Sequence, residues 1–131
     1  MNPEQVYDVI IAGAGSVGTP TAMYLAQAGF KVLVIEALPS CGQASNKHAI
    51  GGVRATHSDP SKIYLCADSI NILSHWWENY GEDIEWRSGG YIFVAYNNEV
   101  EANLKGLLAV QKSFGLNIDW YDAKQILRLV P

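Results

Sequence analysis

Residues 9–29, VIIAGAGSVGTPTAMYLAQAG, pass from an apolar run through three glycines into a helical spacing of apolar residues. The apolar run begins at Tyr7 and is nearly continuous, as expected for a parallel strand covered on both faces. A helix is predicted to begin near Ser16 and to end at Gly29, a residue suited to the left-handed conformation. Residues 31–37, KVLVIEA, form a second apolar run. The stretch therefore predicts a βαβ unit and an α/β fold of the Rossmann-like, FAD/NAD(P)-binding type.

The three glycines match the pattern G-x-G-x-x-G. Gly13 would form a tight turn, Gly15 would let a pyrophosphate approach, and Gly18 would let the helix pack closely on the strand. Free N–H groups at the start of the helix would face the phosphates. Glycines alone mark ordinary turns, but Glu36 follows the second strand, 18 residues after Gly18, and is placed to accept hydrogen bonds from ribose hydroxyls. The whole set predicts a dinucleotide site.

Glu36 also narrows the choice of dinucleotide. Its carboxylate would repel a 2′-phosphate, and no Arg follows it to receive one, so NADP is disfavoured. NAD and FAD both remain compatible with these residues.

Capping residues predict two further helices. Asp59 is placed to cap a helix with Pro60 as its first residue and Gly81 at its end. Asp122 and Gln125 have the spacing of a capping box and predict a short final helix.

Beyond Gly81 the pattern becomes mixed. Short strands are predicted around Trp86, at residues 90–96 (GYIFVAY) and at residues 116–121, with a helix ended by Gly115 before the last of them. The predicted organisation is a Rossmann-like nucleotide-binding portion over residues 1–81, followed by a second, α+β part over residues 82–131.

Composition excludes several classes of protein. The 131 residues carry 9 Lys plus Arg against 13 Asp plus Glu, a formal charge of −4, with no basic block for nucleic acid. Cys41 and Cys66 follow no metal-ligand spacing, so no metal site is predicted. The sequence contains no apolar run long enough to predict a membrane span and no signal peptide, and the expected location is the cytoplasm.

Residues 42–60, GQASNKHAIGGVRATHSDP, together with the glycine loop and Glu36, resemble the amine-oxidising flavoproteins that include D-amino acid oxidase, glycine oxidase and the sarcosine oxidases and dehydrogenases. The resemblance continues through residues 90–98 (GYIFVAYNN) and the segment that ends at Pro131. It implies FAD as the cofactor, with residues 1–81 as the FAD-binding portion and residues 82–131 as the incomplete start of an α+β substrate domain. The implied reaction is transfer of a hydride equivalent from the carbon next to an amine to the flavin. The implied substrate is a small amine or amino acid.

The resemblance also implies roles for particular residues. Arg54, nine residues after Ser45, corresponds to an Arg that holds the substrate carboxylate, a task that suits a permanently charged, two-pronged guanidinium. The other reading of Arg54 is an exposed loop residue or a structural ion pair. No catalytic residue is assigned. The implied cofactor-binding residues are Gly13, Gly15, Ser16, Val17, Gly18, Glu36, Ala37, Ser45 and Asn46.

His48 occupies the part of the chain where some relatives link the flavin covalently to a His that follows a Trp. Here Lys47 precedes it, and this departure leaves covalent attachment open. The favoured interpretation is that His48 and His57 only hydrogen-bond locally, while His75 lies on a helix as a surface or packing residue.

Complete members of this family are much longer, and two parallel strands alone would expose an edge and an apolar face. A completing chain or a homo-oligomer is therefore expected, unless the sequence is a fragment. Three functions follow: the amino-terminal part of an FAD-dependent amine or amino-acid oxidoreductase, a non-catalytic FAD-holding subunit, and a piece of an NAD-binding dehydrogenase.

Overall fold

A computed structural model of the protein describes residues 5–129. The chain divides into two compact units, the first ending at Gly52 and the second beginning at Val53. The predicted functional boundary near Gly81 is a different division and stays a prediction.

The first unit is a βαβ motif. Strand β1 (Val9–Ala12) and strand β2 (Val32–Ile35) pair in parallel, with Val9 beside Val32 and Ala12 beside Ile35. Helix α1 (Gly18–Gln27) is the crossover between them. The predicted α/β class and Rossmann-like unit are confirmed.

The ends of α1 follow from two residues of special backbone geometry. Pro20 lies in the first turn, where a backbone N–H has no intrahelical partner, so the ring costs little there. Gly29 follows the helix with φ +92°, and its N–H donates to the Ala26 carbonyl at 3.0 Å. This is the predicted left-handed end of the helix.

One face of the two-stranded sheet is uncovered among the described residues. Ile11 lies toward α1, so alternation along the strand places Ile10 on the opposite face. Ala12, two residues after Ile10, is on the same face as Ile10. Ile35 is on that face as well, because it pairs with Ala12. Ile10 is 62% exposed and Ile35 52% exposed. The expected apolar face is therefore present in the structure.

The second unit begins its helical part at α2 (Pro60–Ser74), as predicted. The Asp59 carboxylate accepts hydrogen bonds from the N–H groups of Ser61 (2.8 Å) and Lys62 (3.2 Å). Pro60 takes the first helical position. Ile63, one turn later, is fully buried.

The helix predicted to continue to Gly81 is interrupted at His75. The hydroxyl of Ser74 and the Nδ1 atom of His75 both lie within hydrogen-bond distance of the Asn71 carbonyl, at 3.1 and 2.9 Å. Side chains that compete for a helix carbonyl weaken the regular pattern. A short helix α3 (Trp76–Tyr80) follows and ends at Gly81, which has φ +71°.

Helix α4 (Asn98–Ser113) and helix α5 (Ala123–Leu129) complete the described elements. The capping box before α5 is confirmed, because the Asp122 N–H donates to Gln125 Oε1 and the Gln125 N–H donates to Asp122 Oδ1, both at 2.8 Å. Gly115 follows α4 with φ +76°.

The strands predicted around Trp86, at residues 90–96 and at residues 116–121 are wrong for the described structure. None of these segments pairs with another strand within residues 5–129. Apolar and aromatic patterning reports β-propensity, whereas a strand also needs a hydrogen-bonded neighbour. Within the part of the chain that the structure covers, no helix has the length and apolar character to span a membrane.

Candidate functional site

Two glycines of the loop between β1 and α1 have the geometry that their predicted tasks require. Gly13 has φ +101°, and its N–H donates to the Ile35 carbonyl at 2.7 Å, so the turn is fastened to the end of β2. A Cβ on Gly18 would lie 1.9 Å from the Gly13 carbonyl oxygen and 3.3 Å from Ile11 Cγ2. No side chain fits at Gly18, because the start of α1 and the loop are in direct backbone contact.

The amide groups between these glycines form the predicted phosphate-binding part of the loop. A Cβ on Gly15 would meet only the Asn46 amide oxygen, at 3.4 Å, so this side of the loop is open to a larger group. The Ser16 N–H donates to Asn46 Oδ1 at 3.3 Å. Among the described residues, the N–H groups of Val17 and Gly18 have no acceptor. Oriented amides at a helix start form a concave binding site for an oxyanion.

Glu36 follows β2 and contacts the glycine loop directly. Its Oε2 accepts a hydrogen bond from the Ala14 N–H at 2.8 Å, and its Oε1 accepts one from the Leu38 N–H at 2.9 Å. These bonds, that from Ala14 foremost, lower the pKa of the Glu36 carboxyl below its ordinary value. A carboxylate offers about four acceptor positions, so further ones remain for ribose hydroxyls. The sequence did not predict the bond from Ala14.

The loop after β2 returns to the glycine loop. The Gly42 N–H donates to the Ala14 carbonyl at 3.0 Å, and a 3-10 helix (Ser45–His48) then places Asn46 against Ser16. Residues from both halves of the predicted cofactor site are thus brought together in the first unit. Ala37 and Ser45 are exposed beside them.

Arg54, the predicted carboxylate-binding residue, belongs to the second unit and is exposed. Its Cζ lies 5.2 Å from the centroid of the Phe93 ring, within the range of a cation–π contact. Phe93 lies in one of the segments predicted as a strand.

His57 was expected to hydrogen-bond only locally, but it belongs to a small polar group whose other members lie 9 and 54 residues away in the sequence. Its Nε2 lies 3.5 Å from Cys66 Sγ, and its carbonyl accepts a hydrogen bond from Gln111 Nε2 at 3.1 Å. Gln111 is 4% exposed. Its burial could have been predicted from its position in the sequence. Gln111 continues the helical spacing of Leu104, Leu107 and Leu108, so it occupies a position where an apolar residue is expected.

Comparisons with known proteins agree with this geometry. The family model described as FAD dependent oxidoreductase matches residues 8–131. The chain is 32% identical to FAD-dependent oxidoreductase domain-containing protein 1 of Xenopus laevis, over 98% of this chain and 28% of that protein. It is 28% identical to the monomeric sarcosine oxidase of Streptomyces avermitilis, over 95% of this chain and 32% of that protein.

A solved structure is also similar. L-proline dehydrogenase from P. horikoshii superposes with a TM-score of 0.77 and 27% identity, over 85% of this chain and 29% of that chain. The chain thus spans at most 32% of the length of these three relatives. The resemblance noted at residues 42–60 is confirmed: the chain belongs to the family of FAD-dependent oxidoreductases.

Proposed function

We propose that this chain forms the FAD-binding part of an enzyme that oxidises the C–N bond of a small amine or amino acid. Support comes from the family match and from relatives named for sarcosine and L-proline oxidation. The observation that carries the proposal is the juxtaposition of the open amide loop at Gly15 and Ser16 with the ionised Glu36 at the end of β2.

The residues at this site suit the adenosine diphosphate half of FAD. The N–H groups of Ser16, Val17 and Gly18 are donors for a pyrophosphate, and the absence of a side chain at Gly15 gives it access. The Ser16 N–H donates to Asn46 Oδ1 in this structure, so there is room for an acceptor oxygen at this N–H. A phosphate oxygen would take the place of Asn46 Oδ1. The Asn46 amide group also carries N–H donors that suit a phosphate.

Glu36 suits the ribose of the same group. Its lowered pKa keeps it ionised near neutral pH, and its remaining acceptor positions match the two hydroxyls of an adenine-side ribose. The same charge opposes a 2′-phosphate. Family membership favours FAD over NAD, since FAD is the cofactor of this family.

When bound, the flavin supplies the acceptor for the hydride equivalent that leaves the carbon next to the amine. The role of this chain is to bind and orient: the glycine loop and Glu36 hold the cofactor, and Arg54 holds the substrate carboxylate. Water then hydrolyses the resulting imine to a carbonyl compound and an amine, or to a carbonyl compound and ammonia where the substrate is a primary amine. No residue of this chain is proposed to donate or accept the proton of the reacting amine.

The second candidate is a non-catalytic FAD-holding subunit that works by association. The exposed Ile10 and Ile35 on the uncovered sheet face are consistent with it, since such a face is suited to another polypeptide. Both candidates include binding to a completing polypeptide.

Purified protein, alone and with a polypeptide that supplies the rest of the family fold, tests the proposal. We expect retained FAD, seen as flavin absorbance and identified by mass analysis after release, with no displacement by NAD. Addition of an N-methyl amino acid should then bleach the absorbance in the completed protein. Retained FAD without bleaching by any amine would support the non-catalytic subunit. Folded protein that takes up no FAD at saturation would contradict both candidates.

A further inference from the structure

Arg54 lies over an aromatic surface formed by two residues of one loop. The Phe93 ring lies under the guanidinium at 5.2 Å, and the Tyr91 ring is stacked on Phe93 with centroids 6.3 Å apart and planes inclined by 19°. Gly90, with φ +76°, turns the chain immediately before this aromatic pair. An exposed Arg side chain is costly to order, and a cation–π contact with a neighbouring ring restricts it.

The polar edge of the same guanidinium is uncommitted. Within residues 5–129, no carboxylate lies at ion-pair distance from Arg54, and its N–H groups donate to no other residue. By contrast, Arg87 donates to the Trp86 carbonyl at 3.1 Å. A cation–π contact takes up none of the N–H donors of the guanidinium, so they remain available for a planar, two-pronged acceptor.

We propose that Phe93 is a positioning residue that holds the edge of Arg54 ready for a substrate carboxylate. This inference rests on the proposed function, in which Arg54 contacts the substrate. Phe93 itself does not touch the substrate and acts only through the orientation of Arg54.

Kinetics of the FAD-loaded, completed enzyme test the inference. Phe93→Leu removes the aromatic face and keeps an apolar side chain, whereas Phe93→Tyr keeps the face. An exposed cation–π contact contributes about 0.5–1 kcal/mol, which corresponds to a change of about two- to fivefold. We expect Phe93→Leu to raise KM for an N-methyl amino acid by this factor with kcat unchanged, and Phe93→Tyr to restore the original KM.

Two controls separate orientation of Arg54 from a general packing effect. Phe114→Leu is matched, because Phe93 and Phe114 are each 39% exposed, and it should leave KM unchanged. The neutral carboxamide of the same substrate, measured as substrate or as competitive inhibitor, should respond less to Phe93→Leu than the carboxylate does.

A second measurement does not need turnover. Phenylglyoxal condenses with guanidinium groups, and its rate of addition at each Arg is followed by mass spectrometry of peptides. Loss of the Phe93 ring should speed addition at Arg54 and leave addition at Arg87 unchanged, while Phe93→Tyr should match the original protein.

The outcomes distinguish failure of this inference from failure of the proposed function. Enzyme that is never reduced by an amine overturns the proposed function and, with it, the substrate role of Phe93. Enzyme that is reduced, but with KM equally altered in Phe93→Leu and Phe114→Leu or unaltered in both, overturns the inference alone. Equal phenylglyoxal rates at Arg54 with and without the ring overturn it as well.

Discussion

At the scale of single residues, the site depends on two features: the absence of a side chain at Gly18 and the carboxylate of Glu36. Backbone-to-backbone contact at Gly18 brings the start of α1 onto the loop, and Glu36 then fastens that loop to the end of β2 through Ala14. Both contacts are made by the chain itself, and a loop held by such contacts needs less ordering when it binds a ligand.

Gly18→Ala should damage both stability and FAD binding. The added Cβ would lie 1.9 Å from the Gly13 carbonyl oxygen, so backbone has to move, at a cost of about 1–3 kcal/mol or more. Urea unfolding and FAD titration measure the two effects. Gly106→Ala is the control: nothing lies within 4 Å of its Cβ position inside α4, and this change should stabilise by about 0.5–1 kcal/mol. If Gly18→Ala changes neither the free energy of unfolding nor FAD binding, close backbone contact at Gly18 is not required by the site.

The lowered pKa of Glu36 predicts that the folded chain loses stability in acid. Its pKa in the folded chain is lowered from 4.5, chiefly by the Ala14 N–H and then by that of Leu38. The Glu36 carboxylate therefore binds a proton more readily in the unfolded chain than in the folded chain. Its hydrogen bonds stabilise the folded chain fully above about pH 4.5, and this stabilisation is lost as pH falls through the folded pKa. Thermal unfolding midpoints of ligand-free protein and Glu36→Gln should differ near neutral pH and converge in acid. Glu82→Gln, at an exposed loop position, should show no such convergence.

At the scale of elements, side-chain caps decide where α2 and α5 begin, whereas α1 and α3 have no such cap. Two of the sequence-based boundaries rest on side-chain caps at Asp59 and Asp122, and a third on the left-handed conformation of Gly81 at the end of α3; all three are found in the structure. The two side-chain caps are local, since donor and acceptor are within three residues of each other, and this makes them predictable. The break at His75 was missed because it comes from side chains that compete for one carbonyl inside a helical pattern.

Loss of the cap of α2 should have a measurable cost. Asp59→Ala removes an acceptor for two N–H groups and should lower the free energy of unfolding by about 0.5–2 kcal/mol in urea. Asp59→Asn should retain most of the stability, because Asn is an equally good cap. Asp68→Ala, on an exposed position of the same helix, controls for loss of a carboxylate. Equal effects of the changes at residues 59 and 68 would show that charge, not capping, is responsible.

At the scale of the whole molecule, the chain buries little of its apolar material. Hydrophobic residues make up 49% of the sequence, yet the buried hydrophobic residues of the described chain are Ala14, Ala55 and Ile63. A core this small provides little of the burial that normally offsets chain entropy. We therefore expect the binding of FAD and of a completing polypeptide to contribute a large share of the stability.

The uncovered sheet face should govern self-association of the chain. The double variant Ile10→Thr/Ile35→Thr keeps β-branched residues in both strands but makes the face polar, and it should reduce association in light scattering. Ile50→Thr, at a loop residue that is 96% exposed, is the control. If Ile50→Thr reduces association equally, general surface hydrophobicity, not the sheet face, is the cause.

The sequence by itself determined the βαβ unit, the glycine loop, the acid after β2 and the helix caps. Each of these depends on residues close in sequence or on a period that a single element imposes. Tertiary structure alone decided that Glu36 binds the Ala14 N–H, that Arg54 lies on Phe93, that Gln111 reaches His57, and that the predicted later strands stay unpaired. These contacts join residues 22 to 54 positions apart, and strand pairing needs a neighbour that no local pattern specifies.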